Sequence, residues 1–169
     1  MKVAVAMGSD SDLKTLQPGI KILDQFGITS EVSILSAHRT PIEMMNFAQD
    51  AESNGFKVII AGAGGAAHLP GMIAALTTLP VIGVPVKSKA LSGVDSMHSI
   101  LQMPAGIPVA TVAIEGGLNA GLLAIQILAI NDSNLNKKLL KYRAELHDLV
   151  VNKDKILKEV GTETYFERM

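Results

Sequence analysis

Two neighbouring side chains, His38 and Arg39, could perform acid–base chemistry and bind an anion at one point of the chain. An imidazole exchanges protons near neutral pH, and a guanidinium binds phosphate through two parallel hydrogen bonds. Both residues follow an apolar run of strand length, and Thr40, Pro41 and Glu43 then predict a capping box at the start of a helix. We therefore expect the pair between a strand end and a helix N-terminus. A purely structural histidine is the alternative.

Two further loops have compositions suited to a ligand. Residues 7–12 place the Ser9 hydroxyl beside backbone amides that could hold a phosphate or a ribose, with Ser11 as the expected helix N-cap. Residues 62–72 are rich in glycine, so a ligand can lie against the backbone, but their spacing fits neither the dinucleotide fingerprint nor a P-loop. A plain capped turn is the alternative for the first loop. In the second loop, His68 either orients a substrate or bonds the backbone.

Other reactive residues point less clearly to a site. Lys87 either approaches a carboxylate or is simply an exposed lysine, and we favour the second interpretation. His98 is interpreted as a structural or interface residue on a helix. No two histidines have metal-ligand spacing with a carboxylate, no Ser/His/Asp set is evident, and the chain has no cysteine. We therefore expect neither a metal site nor acyl-enzyme chemistry.

Apolar runs of strand length alternate with helical stretches, which predicts an α/β fold. Because the runs are rich in Val and Ile and nearly continuous, we expect a parallel sheet with strands buried on both faces. The prediction is a three-layer, doubly wound sandwich of the flavodoxin-like or Rossmann-like type with a C-terminal helical extension. Strands are expected at residues 3–7, 29–35, 57–61, 81–84 and 108–114, and helices near 11–26, 41–54, 69–78, 95–101 and 119–130. Pro18 and Gly19 predict a kink in the first helix.

The C-terminal part of the chain reads as one long amphipathic helix. Its apolar stripe consists of Leu135, Leu139, Tyr142, Leu146 and Leu149. This stripe packs either on its own domain or on a neighbouring subunit. We predict a single domain over residues 1–169, divided into a core at 1–130, a helical arm at 131–160 and a frayed tail at 161–169.

Composition restricts the partners and the surroundings of the protein. A length of 169 residues with 48% hydrophobic content suits one domain with a two-sided core. A net charge of -1 provides no broad field for nucleic acid, and no apolar run is long enough to span a membrane. Residues 1–130 contain only 16 charged side chains, so we expect other subunits to cover part of this surface. The lack of cysteine suits a reducing compartment, and the cytoplasm is the default expectation.

Taken as a set, the loops closely resemble those of the N5-carboxyaminoimidazole ribonucleotide mutases, the bacterial-type PurE family. The matching segments are residues 7–12, 36–41, 62–72, 83–86 and 95–104, within a resemblance that covers residues 2 to 130. The resemblance implies a doubly wound fold, a homo-octamer and a role in purine biosynthesis. It also implies conversion of N5-carboxyaminoimidazole ribonucleotide to 4-carboxy-5-aminoimidazole ribonucleotide without ATP, metal or organic cofactor.

By matching motif, the resemblance also implies roles for individual residues. His38 would be the general acid and base. Ser9 and Arg39 would bind the phosphate of the substrate, and Asp12 would bind its ribose hydroxyls. His68 would border the carboxylate or carbon dioxide. The pocket would be lined by Ser36 and by the backbone of Gly64, Gly65 and Ala66. The implied reaction is decarboxylation at N5, capture of carbon dioxide in a closed pocket, attack by ring C4 and removal of the C4 proton.

Two alternatives accompany this interpretation. Animal-type relatives carboxylate aminoimidazole ribonucleotide directly with carbon dioxide and usually have Lys after the histidine, whereas Arg39 matches the mutase branch. A flavodoxin-like FMN-binding module is the second alternative, although four Phe, two Tyr and no Trp leave few aromatic side chains for stacking. The loop at residues 115–118 is about two residues shorter than is usual in the family. The resemblance therefore does not predict which contacts this loop makes.

Overall fold

A five-stranded parallel sheet forms the centre of the structure, a computed structural model that describes residues 1–169. The strands are β1 (Lys2–Met7), β2 (Thr29–Ile34), β3 (Phe56–Gly64), β4 (Val81–Val86) and β5 (Ala110–Thr111), and they lie side by side in the order β2-β1-β3-β4-β5. The helices are α1 (Leu13–Gln25), α2 (Pro41–Asp50), α3 (Leu69–Ala74), α4 (Val94–Leu101), α5 (Gly117–Ala129) and α6 (Ser133–Glu167). This strand order is that of a flavodoxin-like doubly wound sheet, so the predicted fold class is confirmed.

Alternating side chains of the strands fill two separate cores, one on each face of the sheet. On one face, Val3 and Val5 pack with apolar side chains of α1, α5 and α6. On the other face, Ala4 and Ala6 pack with apolar side chains of α2, α3 and α4. Successive strand residues point to opposite faces, so a strand that is apolar at every position serves both layers. The continuous apolar runs in the sequence are thus explained by burial of the strands on both faces.

The edge strands depart from the predicted pattern. In β2, Val32 and Ile34 are 42% and 59% exposed, so this strand is not buried on both faces as predicted. Only two residues of the predicted strand 108–114 form β5. The amide of Glu115 donates to the carbonyl of Pro85, which shows that Pro85 faces β5. Because proline has no amide hydrogen, the β4–β5 ladder loses a bond at this position, which helps to explain why β5 is short.

Close packing of α1 on α5 depends on three glycines. A Cβ atom at Gly121 would lie 2.7 Å from the carbonyl oxygen of Gly19, and one at Gly117 would overlap the carbonyl oxygen of Thr15. These backbones therefore touch where a side chain would hold them apart. The loop at residues 115–118 contributes Gly117 to this contact. Helix α1 runs without interruption from Leu13 to Gln25, with Pro18 and Gly19 inside it. These two residues do not end the helix.

Replacing Gly117 with Ala is expected to destabilise the fold by about 1–3 kcal/mol, because the new methyl group meets backbone atoms that cannot rotate away. Denaturant unfolding of the purified variant measures this change. Leu118→Ala is the control, since Leu118 is 41% exposed and its truncation opens no cavity in the core. A Gly117→Ala variant as stable as the wild type would show that α1 and α5 are not held at this distance.

Helix α6 packs on its own domain only along its first turns. Leu135 and Leu139 are buried, and the Tyr142 ring meets the Phe26 ring edge-on at 5.8 Å between centroids. Further along the stripe, Leu146 and Leu149 are 46% and 53% exposed. At the predicted frayed tail, Gly161 has φ 79° and breaks the helical geometry, but helix resumes and ends at Glu167. None of the helices combines the length and the apolar character needed to cross a membrane.

Candidate functional site

The carboxyl ends of four strands meet at one edge of the sheet and surround a cavity of about 610 Å³. Met7 at the end of β1 is level with Ile34 of β2 and Gly62 of β3, so the loops that follow are brought side by side. The residues predicted from the sequence come from three neighbouring strand ends: Ser9 and Asp12 after β1, Ser36, His38 and Arg39 after β2, and Gly64 at the end of β3 with Gly65 and His68 after it. Parallel pairing thus collects residues that are far apart in the chain.

Ala66 is the one predicted residue that does not line the cavity. Its neighbours Gly65 and Ala67 have φ values of 67° and 44°, in the left-handed region. This backbone turn buries Ala67 while Ala66 stays exposed. The contribution of the loop to the cavity wall therefore comes from Gly64, Gly65 and Ala67.

The loop after β1 is closed by hydrogen bonds between Ser9 and Asp12. The Ser9 amide donates to Oδ2 of Asp12 at 3.1 Å, and the Ser11 amide donates to Oγ of Ser9 at 3.4 Å. Ser9 therefore caps a short 3-10 turn over residues 10–12, and the prediction that Ser11 is the N-cap was wrong. The local reason is that the chain makes this extra turn before α1 begins at Leu13.

Asp12 is the only carboxylate that lines the cavity, and it is 6% exposed. Burial raises its pKa above the ordinary value of 3.8, and this effect outweighs the hydrogen bonds from the Ser9 amide and the Ser11 hydroxyl, which lower it. This carboxyl group therefore takes up a proton more readily than an exposed aspartate. Its position on the cavity wall fits a hydrogen-bonding partner for hydroxyl groups.

Arg39 is held at the mouth of the cavity by uncharged partners. Its backbone amide and its Nε donate to Oγ of Ser36 at 3.2 and 3.3 Å, and its Nη2 donates to the carbonyl of Gly8 at 3.4 Å. The guanidinium forms no ion pair with a carboxylate of the chain. Its charge is therefore available to an anionic ligand, beside Ser9 in the neighbouring loop.

Thr40 fixes this loop in a different way from the predicted capping box. Its Oγ1 accepts from the Ser36 amide at 2.9 Å and makes no capping bond to α2. The hydroxyl is thus used within the turn at residues 36–40, so the capping-box prediction was wrong. Pro41 does begin the helix, as predicted. The result is a tight turn that presents His38 and Arg39 to the cavity.

His38 and His68 form a hydrogen-bonded pair across the cavity. Nε2 of His38 lies 2.6 Å from Nδ1 of His68, and the rings meet edge-on with centroids 4.9 Å apart. One nitrogen of such a pair carries a hydrogen and the other accepts it, so one imidazole donates a hydrogen bond to the other. The His68 side chain therefore bonds to His38 and not to the backbone, which was one of the two alternatives for this residue. Sequence inspection could not find this pairing, since 30 residues separate the two positions.

The fourth side of the cavity is formed by Lys87, Ser88 and Lys89, directly after β4. Lys87 is exposed, as predicted, and it also lines the cavity. The signal that points to the site is its position, because Lys87 follows a strand just as Ser9 and Ser36 do. Strand β4 lies beside β3, with Val86 paired to Gly64, so this segment adjoins the glycine-rich loop.

The chemistry of the lining suits an anion. The cavity contains three Lys or Arg residues and two histidines, and no Phe, Tyr or Trp that could stack on a flavin. A larger groove of about 830 Å³ lies between residues 74–81 and 106–108, and no Lys, Arg or His lines it. No three or more His, Cys, Asp or Glu side chains are arranged as the ligands of a metal ion. The smaller cavity is therefore the candidate functional site.

Comparisons with known proteins agree on one family. The family model described as AIR carboxylase matches residues 2–148. An N5-carboxyaminoimidazole ribonucleotide mutase of Synechocystis is 55% identical over 166 residues, which are 98% of this chain and 94% of that protein. A phosphoribosylaminoimidazole carboxylase of Candida albicans is 56% identical over 96% of this chain, which corresponds to 29% of that longer protein. The crystal structure of Treponema denticola PurE matches 93% of this chain and 98% of its own, with a TM-score of 0.85 and 29% identity.

Proposed function

The chain belongs to the AIR carboxylase family, and on this basis we propose that it is a mutase of purine biosynthesis that moves a carboxylate within a ribonucleotide. The reaction interconverts N5-carboxyaminoimidazole ribonucleotide and 4-carboxy-5-aminoimidazole ribonucleotide without ATP. The enzyme is thus an intramolecular transferase, since the group that leaves N5 is the group that arrives at ring carbon C4.

The observation that carries the proposal is the paired histidines beside an arginine without a carboxylate partner. Arg39 and Ser9 are the proposed ligands of the phosphate, because they offer a guanidinium and a hydroxyl in adjoining loops. Asp12 is proposed to bind the ribose hydroxyls, with Ser36 and the backbone of Gly64 and Gly65 along the ring. The aminoimidazole then lies between the phosphate ligands and His68.

His38 is proposed to carry the proton in both halves of the reaction. Cleavage of the N5–carboxylate bond releases carbon dioxide and leaves an electron pair on N5, which takes a proton from the imidazolium of His38. Ring C4 then forms a bond to the carbon dioxide, and neutral His38 removes the C4 proton. The proton given to N5 is replaced by the one taken from C4, so no net acid or base is consumed. The hydrogen bond to His68 holds the His38 ring in one orientation.

Direct carboxylation is the second candidate function, favoured by the similarity to the fungal carboxylase. The two activities differ in their substrates. The experiment supplies the purified chain, without ATP, either with N5-carboxyaminoimidazole ribonucleotide or with aminoimidazole ribonucleotide and bicarbonate. The mutase predicts fast formation of the C4-carboxylated product from the first substrate at low bicarbonate. Product from the second mixture alone would instead establish the carboxylase.

Assembly into a homo-octamer is part of the proposal, because the chain leaves apolar side chains exposed at several places. Ile34 and Ile42 are 59% and 62% exposed near the edge strand β2, and Leu149 is 53% exposed on α6. Eight chains of 17.8 kDa give a particle of about 140 kDa. Light scattering at micromolar concentration should measure this mass, and a particle of one chain would contradict the proposal.

The surroundings proposed for the enzyme follow from its composition and its substrate. A chain without cysteine suits a reducing compartment, and we place it in the cytoplasm. The partners are the ribonucleotide and other copies of the chain, because a net charge of -1 offers no extended basic surface to nucleic acid.

A further inference from the structure

We propose that Lys87 and Lys89 form a second anion-binding position in the cavity, which receives the carboxylate that the enzyme moves. This inference rests on the proposed mutase function and adds residues for a part of the substrate that Arg39 does not reach. The sheet order places β4 three strands away from β2. At about 4.8 Å between neighbouring strands, the lysine segment lies roughly 14 Å from the strand that precedes Arg39.

The charges of the cavity match a substrate with two anionic ends. Three cations, Arg39, Lys87 and Lys89, line it against the single carboxylate of Asp12. Neither lysine forms an ion pair within the chain. A ribonucleotide with a phosphate at Arg39 and a carboxylate on its ring would neutralise the positive charge at both ends. A substrate with only a phosphate would leave the lysines unpaired.

The backbone of this segment is fixed by Glu115, which explains how two flexible lysines can be presented to a ligand. Oε1 of Glu115 accepts from the Lys87 amide at 2.8 Å and from Oγ1 of Thr15 at 2.8 Å. Glu115 has φ 61°, and its own amide donates to the Pro85 carbonyl at 2.9 Å. The short loop at residues 115–118 therefore anchors the cavity wall to α1 and β4. Glu115 acts as a positioning residue and does not pair with either ammonium group.

A second set of bonds fixes the other end of the segment. The Ser88 hydroxyl donates to Oδ1 of Asp95 at 2.6 Å and accepts from the Leu91 and Gly93 amides at 3.2 Å. The bond from Ser88 also lowers the pKa of the Asp95 carboxyl. These bonds hold the chain at Lys87 and Ser88, while the side chains of Lys87 and Lys89 are exposed. The segment therefore offers two exposed cations from a backbone that is hydrogen-bonded at Lys87 and at Ser88.

The neighbouring strand brings the same segment close to the histidine loop. Gly64 is paired with Val86, so Lys87 adjoins the turn that leads to His68. Oγ of Ser96 links the two strand ends, since it accepts from the Gly65 amide at 2.9 Å and donates to the Val86 carbonyl at 2.7 Å. A carboxylate between the lysines and His68 would thus lie where the proton transfer is proposed to occur.

The test compares two ribonucleotides that differ only in the carboxylate. Calorimetry measures the affinity of the Lys87→Gln/Lys89→Gln variant for 4-carboxy-5-aminoimidazole ribonucleotide and for 5-aminoimidazole ribonucleotide. The carboxylated ligand should bind about tenfold to hundredfold more weakly than it does to the wild type, because charge-assisted contacts are lost. The ligand without a carboxylate should bind as it does to the wild type. The corresponding double substitution to Arg should restore tight binding of the carboxylated ligand.

Lys57→Gln is the matched control, since Lys57 is exposed at the amino end of β3, away from the cavity. It should leave both affinities unchanged. Equal weakening of both ligands by the Lys87 and Lys89 substitutions would place these lysines on the phosphate and overturn the proposal, and so would unchanged affinity for both. If the double variant does not fold, the two single variants give the same comparison. Failure of the mutase function would appear separately, as lack of turnover by the wild type.

Discussion

Replacing His38 with Asn is expected to lower mutase turnover by about a hundredfold or more, whereas the ribonucleotide should still bind. Asparagine keeps part of the shape and the hydrogen bonding of the imidazole but has no group that titrates. It can therefore neither protonate N5 nor remove the proton from C4. The measurement pairs steady-state turnover with calorimetric binding of the product.

His68→Asn is the matched control for the acid–base role. It removes the ring whose Nδ1 lies 2.6 Å from Nε2 of His38, so it should disturb the orientation of His38. Turnover is expected to fall less than in His38→Asn, because the imidazole proposed to exchange the proton with N5 and C4 is still present. A folded His38→Asn variant that binds the ribonucleotide and turns over near the wild-type rate would show that the assignment is wrong and would make His68 the next candidate.

Replacing Arg39 with Ala should weaken binding of the ribonucleotide by about 2–4 kcal/mol, because it removes a charge-assisted contact with the phosphate. No other Arg or Lys lies in the loops after β1 and β2 that line the cavity, so no second cation can take its place there. Calorimetry with 5-aminoimidazole ribonucleotide isolates the phosphate and ribose contacts. The expected loss applies to this ligand and to its carboxylated product alike, in contrast to the lysine substitutions.

Arg168→Ala is the control for the loss of one arginine. Arg168 lies at the end of α6, beyond the residues that match the family model, and is exposed. Its replacement should leave the affinity unchanged. An Arg39→Ala variant with wild-type affinity would mean that the phosphate binds elsewhere in the cavity.

The loops of the candidate site could be predicted from sequence because each follows a strand with a clear apolar pattern. Parallel strands bring their carboxyl ends together, so residues after β1, β2 and β3 were expected at one edge. The contact between His38 and His68 could not be predicted, because it depends on how two separate loops turn. The same holds for Glu115, whose carboxylate reaches Thr15 across 100 residues of sequence. A charged residue in a short glycine-rich loop gives no indication of such a partner.

The fold was predictable where both faces of a strand are buried and less so at the edges. The pattern over residues 108–114 is typical of a strand, but a missing amide hydrogen at Pro85, on the neighbouring strand, helps to keep β5 short. The role of the glycines in the α1–α5 contact could not be predicted either. Gly19 within a helical stretch suggests a helix break when the helix that packs against it is unknown. The stripe on α6 predicted its first contacts, at Leu135 and Leu139, but not where those contacts stop.

The most direct test of the central claim follows the carboxylate itself. N5-carboxyaminoimidazole ribonucleotide labelled with carbon-13 in its carboxylate is given to the purified enzyme without ATP, in the presence of excess unlabelled bicarbonate. Nuclear magnetic resonance then locates the label in the product. The account predicts 4-carboxy-5-aminoimidazole ribonucleotide with the label retained in the carboxylate on C4, because the group crosses from N5 to C4 within one cavity. No product, or product whose carboxylate comes only from the unlabelled bicarbonate, would contradict it.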